Sequence, residues 1–256
     1  MTTKILVLAD LHGGSKYGVA TSDWVSDRIK GRSHCLEMLE QFNRVRDDVG
    51  KVDRLFLLGD LADGANPKEQ GKDRIGDDDD QVEMICQLIR TVRGSPKIRV
   101  VEGTLYHGGV ARLDKQIAEK LGAEKDQLGN SAPKFWLGNI DGVRFSLAHK
   151  ITVSQSSWQY RTTPLALRLV LTRLNKQEDP SRHMVLIRAH CHTYQGVFFK
   201  RQMGVTCPGL EARTPFGEER NPENNPDVGG LFFDVSDDNY HMQPYAKSID
   251  AKVYQL

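Results

Sequence analysis

The chain has 256 residues, enough for one large domain with a sizeable core. Its 39% hydrophobic and 27% charged content is that of an ordinary globular protein, which argues against a disordered or fibrous chain. Thirty-five Lys and Arg against 34 Asp and Glu leave a formal net charge of +1, so no polybasic surface for nucleic acid or membrane stands out.

Lys4–Ala9 is a short apolar run ending at Asp10 and predicts a buried strand. Gly13–Gly31 mixes Gly, Ser, Lys, Tyr and Trp without periodicity and predicts a long loop. Leu36, Leu39, Phe42, Val45 and Val49 repeat at helical spacing between a capping Ser33 and a terminating Gly50. Val52–Leu58 predicts a second strand, ending at Gly59-Asp60. Ala65–Asp80 reads as an exposed loop whose acidic end, Asp77–Asp80, opens a helix carrying Val82, Ile85, Ile89 and Val92. Ile98–Val101 predicts a third strand, and Leu113, Ile117 and Leu121 another helix. Lys134–Leu137 and Val143–Ala148 flank a turn at Gly138–Gly142, a hairpin signal. Leu167, Val170, Leu171 and Leu174 mark another helix. Met184–Ala189 is a strand ending at His190. Strands at Gly196–Lys200, Gly204–Thr206, Gly230–Val235 and His241–Ala246 follow, with a Pro/Gly/Asn-rich loop at Pro208–Gly229. Strands alternate with helices early and form hairpins late, without repeat or linker. This predicts a single α/β domain over 1–256, two packed sheets covered by helices.

Cys35, Cys86, Cys191 and Cys207 contain no C-x-x-C pair, so a thiolate zinc site is not expected. Met1–Leu8 runs directly into the first strand pattern, and no stretch approaches the roughly 20 apolar residues of a membrane span. The expectation is a cytoplasmic protein with free thiols.

Histidines and acids recur where apolar strands end: Asp10 and His12, Asp60, His149, then His190 and His192. A rigid sheet fixes groups at its strand ends while the adjoining loops vary, so such ends commonly carry chemistry. His190-Cys191-His192 is the strongest local signal, because two imidazoles at i and i+2 after an apolar strand lack a packing reason. Taken singly, Asp10 and Asp63 also read as turn caps and His149 as a core histidine. Taken together, the set reads as an oxygen–nitrogen metal site suited to Mn, Zn, Fe or Ni more than to Ca or Mg. A carboxylate bridging two cations would let them polarise a phosphoryl oxygen and activate water.

The order of these motifs resembles the calcineurin-like metallophosphoesterase family, whose pattern is D-x-H, G-D-x-x-D, G-N-H, H, G-H-x-H. Here it reads Asp10-Leu11-His12, Gly59-Asp60-Leu61-Ala62-Asp63, Gly103-Thr104-Leu105-Tyr106-His107, His149 and Ala189-His190-Cys191-His192. The resemblance implies a four-layer α/β/β/α sandwich of two packed mixed β-sheets, and a dinuclear phosphoric ester hydrolase using a metal-bound hydroxide. It also implies two divalent ions, with Mn favoured over Zn, Fe or Ni. By that resemblance Asp10, His12 and His192 hold the first ion, Asp60 bridges, and His149 and His190 hold the second. His107 contacts phosphate and protonates the leaving oxygen. Two departures stand out: Ala189 replaces a glycine, and Thr104 replaces the asparagine that serves the second ion. Thr104 is then a weak second-metal ligand or acts from behind the ligands, and the second site is the weaker one. Asp63 either orients a ligand histidine or caps its loop.

Trp158, Tyr160 and Arg161, after His149, and Lys16, Tyr17 and Trp24, after His12, are candidates to stack on a base or pair a phosphate. That favours a phosphodiester of a nucleotide or nucleic acid as substrate. Alternatives are a phosphomonoesterase or protein phosphatase, and a non-catalytic, metal-stabilised binding scaffold. The sequence points to a phosphate-ester partner, to no membrane, and to no evident protein partner.

Overall fold

A computed structural model describes residues 2–25, 32–65, 74–108, 111–151, 162–220 and 225–248. The first strand, β1 (Thr3–Leu8), is buried along its apolar stretch. Ile5 and Val7 point to one core and Leu6 and Leu8 to another, so the strand is covered on both faces. It lies parallel to β2 (Arg54–Leu57), which lies parallel to β3 (Lys97–Val100). On its other side β1 pairs antiparallel with β9 (Asp227–Ser236), and β9 with β10 (Asn239–Ser248). The first sheet is therefore mixed, in the order β10-β9-β1-β2-β3.

The second sheet has the order β4-β5-β6-β8-β7. Here β5 (Val143–Leu147), β6 (Met184–Arg188) and β8 (Gln202–Thr206) are parallel. The outer strands β4 (Trp136–Ile140) and β7 (Gln195–Phe199) run antiparallel to their neighbours. Ile5, Val7, Phe56 and Phe233 of the first sheet meet Phe145, Val185, Ile187 and Val205 of the second in one apolar layer. Among the described residues four phenylalanines are fully buried, and three of them, Phe56, Phe145 and Phe233, lie in that layer.

Helices α1 (Arg32–Val49), α2 (Asp78–Arg90) and α4 (Leu113–Lys120) cover the outer face of the first sheet through Phe42, Val45, Val82, Ile85, Ile89 and Ile117. A single turn, α3 (Leu105–Gly108), precedes α4. The acidic run opens α2 as expected. Asp77 is the cap, its carboxylate accepting the Asp80 N–H at 2.9 Å while Asp80 returns the bond at 3.1 Å. Helix α5 (Thr163–Asn175) covers the second sheet, and Leu165 and Leu169 pack on Met184 and Leu186. The layers are thus α/β/β/α, as the resemblance implied.

Leu167, Val170, Leu171 and Leu174 lie in a helix as expected, and they are its exposed residues, while Leu165 and Leu169 form the seam. Two local expectations are corrected. The hairpin turn is tighter than Gly138–Gly142; pairing continues to Ile140 and Val143, leaving only Asp141-Gly142. The loop Pro208–Gly229 contains the short helix α6 (Pro215–Arg220) and the start of β9. No helix among the described residues is long and apolar enough to cross a membrane.

Candidate metal centre

The turn after β1 carries Asp10 and His12, the turn after β2 carries Asp60, and the turn after β6 carries His190 and His192. All five have left-handed backbones, with φ of 49°, 44°, 49°, 76° and 49°. That region disfavours a side chain with a β-carbon, and such residues cluster where function demands a direction. Backbone bonds hold the turns in place: Asp10 N–H to Gly59 O at 3.1 Å and His12 N–H to Asp60 O at 3.1 Å. His149 follows β5, and its strand-end carbonyl accepts the Ala189 N–H at 2.8 Å, locking the turns of β5 and β6 together.

Asp10 is fully buried. Its Oδ2 accepts the His190 N–H at 3.0 Å. Its Oδ1 points into the centre, 3.3 Å from His192 Nε2 and 3.9 Å from the Nε2 atoms of both His12 and His149. Among the described residues neither Asp10 Oδ1 nor His12 Nε2 has a well-aligned hydrogen-bond partner. Leaving buried polar atoms unmatched costs about 1–3 kcal/mol each, so this pair marks a place for a cation.

Asp60 Oδ2 lies 3.0 Å from His149 Nε2 and 4.0 Å from His190 Nδ1. His149 Nδ1 is 2.6 Å from the Leu58 carbonyl, which only accepts. The Nδ1 therefore carries a hydrogen, and Nε2 is the nitrogen that can take an ion once it releases its own proton. That Nε2 is 3.3 Å from His190 Nδ1. Donor atoms of Asp10, Asp60, His149 and His190 all lie within 4.8 Å of one another, and those of Asp10, His12 and His192 do likewise. Asp10 is thus common to both groups, and the buried, mixed oxygen–nitrogen donor set fits divalent first-row ions.

Thr104 turns towards Asp60. Its N–H donates to Asp60 Oδ1 at 2.6 Å, and its hydroxyl is 3.1 Å from both carboxylate oxygens. The preceding Gly103 lies so close that a β-carbon there would come within 2.2 Å of the Asp60 N. Asp63 Oδ1 is shared by two imidazoles, His107 Nδ1 at 2.8 Å and His12 Nδ1 at 3.4 Å. The rings of His12 and His107 meet edge-on at 4.4 Å.

Charge follows this geometry. Burial disfavours the imidazolium of His12, but Glu211 and the bond to Asp63 push it up to about 10. Burial likewise opposes charge on His149, which Asp60 and Asp10 nevertheless raise to about 9. Against their own burial, Asp10 is drawn down to about 2 by His192 and His149, and Asp60 is lowered by His149. Asp63, also against burial, falls to about 2 through its bonds to His107 and His12. Burial and the neighbouring His149 lower His190 to about 4. Protons on His12 and His149 thus supply the positive charge that the carboxylates demand.

The structure brings together Asp10, His12, Asp60, His149, His190, His192 and His107, with Thr104 and Asp63 beside them. Trp158, Tyr160 and Arg161 lie outside the described residues. Trp24 does not overhang the centre; its indole N–H bonds to Gln87 Oε1 of α2 at 3.2 Å. Tyr17 packs against the core under the helices and beside His34. Two buried acids escaped the sequence reading. Glu211 lies 3.7 Å from His12 Nε2 and 3.5 Å from His192 Nδ1. Asp114 accepts N–H bonds from Asp60, Leu61 and Gly103 at 3.2, 3.0 and 2.8 Å. Glu211 stands five residues beyond the end of β8, so the strand-end signal reaches towards it; Asp114 resembles any acid in a first helical turn.

No protein-family model and no curated protein matches the sequence. Among solved structures, the chain is similar to zinc-complexed Vps29 from Entamoeba histolytica, at 14% identity and a TM-score of 0.48, covering 95% of this chain and 92% of that one. It is also similar to YfcE, a phosphoesterase from E. coli, at 12% identity and a TM-score of 0.47, with 94% and 98% covered. A third is an archaeal phosphodiesterase, at 12% identity and a TM-score of 0.47, with 94% and 99% covered.

Proposed function

We propose that this protein is a calcineurin-like, metal-dependent phosphoesterase that favours phosphodiesters of nucleotides or nucleic acid. The observation that carries the reading is the convergence of two carboxylates and four imidazoles from four strand ends, with Asp10 Oδ1 and His12 Nε2 buried and unmatched. Asp10, His12 and His192 would hold a first ion, His149 and His190 a second, with Asp60 between them. Manganese is the favoured ion, and a cytoplasmic location accords with four free cysteines.

The ions, when bound, supply Lewis acidity and a nucleophile at neutral pH. The chain's own residues do the rest. The Leu58 carbonyl fixes the tautomer of His149, and Asp63 fixes the aim of His12 and His107. With Nδ1 of His107 held by Asp63, its Nε2 is the atom that delivers a proton to the leaving oxygen. Thr104 holds Asp60 by two donors, acting from behind the ligands.

The test is hydrolysis of bis-p-nitrophenyl phosphate and p-nitrophenyl phosphate after metal stripping and readdition of Mn, Ni, Zn or Mg. Metal-dependent turnover that is faster on the diester is expected, and abolished in Asp60→Asn with the fold intact. Faster monoester cleavage would favour a phosphomonoesterase. Thr104 in place of a ligand asparagine favours a second reading, a non-catalytic scaffold. Tight metal binding without hydrolysis of any ester would establish it.

A further inference from the structure

Glu211 belongs to none of the motifs that suggested the centre, yet the chain is built to place it there. Its loop crosses the mouth of the turns that carry Asp10 and His192. The Leu210 N–H bonds to the Asp10 carbonyl at 2.9 Å, and the Ala212 N–H to the Tyr17 carbonyl at 2.8 Å. The Gly209 N–H bonds to the Asp227 carbonyl at 3.2 Å, and the Asp227 N–H to the His192 carbonyl at 2.7 Å. Leu210 and Ala212, on either side, are buried. Gly209 lies so close that a β-carbon would stand 3.1 Å from Asp10 Cβ and 3.3 Å from His192 Cγ. Glu211 itself is 8% exposed, and among the described residues its ion pairs are with His12 and His192 alone.

We infer that Glu211 is a ligand of the first ion, facing the unmatched nitrogen of His12 from the side opposite Asp63. Two donors each about 2.1 Å from one ion stand roughly 3 Å apart. The 3.3 Å between Asp10 Oδ1 and His192 Nε2 and the 3.7 Å between His12 Nε2 and Glu211 Oε2 are close to that spacing. The same Glu211 oxygen lies 3.7 Å from His12 Nε2 and 3.5 Å from His192 Nδ1, so one carboxylate spans both imidazoles assigned to the first ion. Glu211 gives the first site Asp10, Asp60 and Glu211 with His12 and His192, three oxygens and two nitrogens. The second site keeps two oxygens and two nitrogens, from Asp10, Asp60, His149 and His190, with no carboxamide where Thr104 stands. The pair of sites is therefore unequal, the first tight and oxygen-rich, which favours manganese over zinc there.

The inference rests on the dinuclear reading above, and titration of the metal-stripped full chain with Mn2+ separates the two. Wild type should bind two ions of unequal affinity. Glu211→Gln should weaken one of them by about 10–100-fold or more, and should do so equally in a His190→Ala background, where the first ion remains. It should also shift the Mn-to-Zn competition ratio towards Zn. Two ions bound by wild type and by Glu211→Gln with the same affinities would overturn this assignment while leaving the hydrolase reading intact. No ion bound by wild type would overturn both. A crystal structure of the zinc-loaded wild type guards against a misfolded variant. A Glu211 oxygen about 2.0–2.2 Å from the ion supports the assignment, and an ion with Glu211 beyond hydrogen-bond distance of it refutes it.

Discussion

Asp114 is where a substitution outside the ligands should do the most damage. It sits in the first turn of α4, 3% exposed, and its carboxylate accepts three N–H groups from two different strand-end turns. Asp114→Ala leaves all three donors without their acceptor at once. Each orphaned buried donor costs about 1–3 kcal/mol; with the turns relaxing partly and admitting water, the loss should be about 3–5 kcal/mol. The Asp60 carboxylate is carried by one of those turns, so metal uptake should weaken as well. Burial, and then the charge of Asp60, push Asp114 up to about 6 from an ordinary 3.8. Its folded value therefore lies above its unfolded one. The stability it contributes is fully present below pH 3.8 and is lost as pH rises through 6. The wild-type advantage over Asp114→Ala should accordingly narrow across that window. Urea denaturation of the metal-free proteins at several pH values measures both effects. An Asp114→Ala midpoint shift worth less than about 1 kcal/mol would show that the three N–H groups find other partners and that the carboxylate is not the clasp.

Other substitutions read the centre directly. His107→Gln should slow hydrolysis of an alkyl diester by about 10²–10⁴-fold and a p-nitrophenyl diester much less, since p-nitrophenolate leaves without a proton. Equal losses on both would remove His107 from the proton-transfer role. Because His12 and His149 stand at about 10 and 9 without an ion, both are protonated at pH 7 and must release those protons when metal binds. Metal affinity should then fall as pH drops from 9 to 7, and calorimetry in buffers of different ionisation heat should count the protons; a pH-independent affinity would contradict the charge scheme. Thr104→Ala removes the hydroxyl from Asp60 and should weaken the second ion more than the first, and metal titration showing equal loss of both would place Thr104 elsewhere.

The candidate donors Asp10, Asp60 and His190 were legible because each stands immediately beyond an apolar run. Val7-Leu8-Ala9 leads to Asp10, and Leu57-Leu58-Gly59 to Asp60; Ile187-Arg188-Ala189 leads to His190. A strand announces its own end, and the turn that follows has little freedom. Glu211 was not legible, since its position depends on hydrogen bonds from Leu210 to Asp10 and from Gly209 to Asp227, contacts across the fold that no local pattern encodes. Asp114 was hidden for the same reason. The helix α5 was legible but its buried face was not, because leucines recur at 165, 167, 169, 171 and 174 and periodicity alone does not say which side meets the sheet. Only the narrowness of the Leu165–Leu169 seam decides it. The role of Asp63 was half legible: the motif placed it near a histidine, and the fold gives it two.

The left-handed turns at Asp10, His12, Asp60, His190 and His192 bear on how such a chain can change over generations. Each holds a residue with a β-carbon where glycine would relieve about 1–2 kcal/mol. A lineage with no use for the ions would drift towards glycine or asparagine at these five positions, growing sturdier as it lost its chemistry. In this chain all five positions carry histidine or aspartate, so stability is forgone at the very turns that carry the candidate donors.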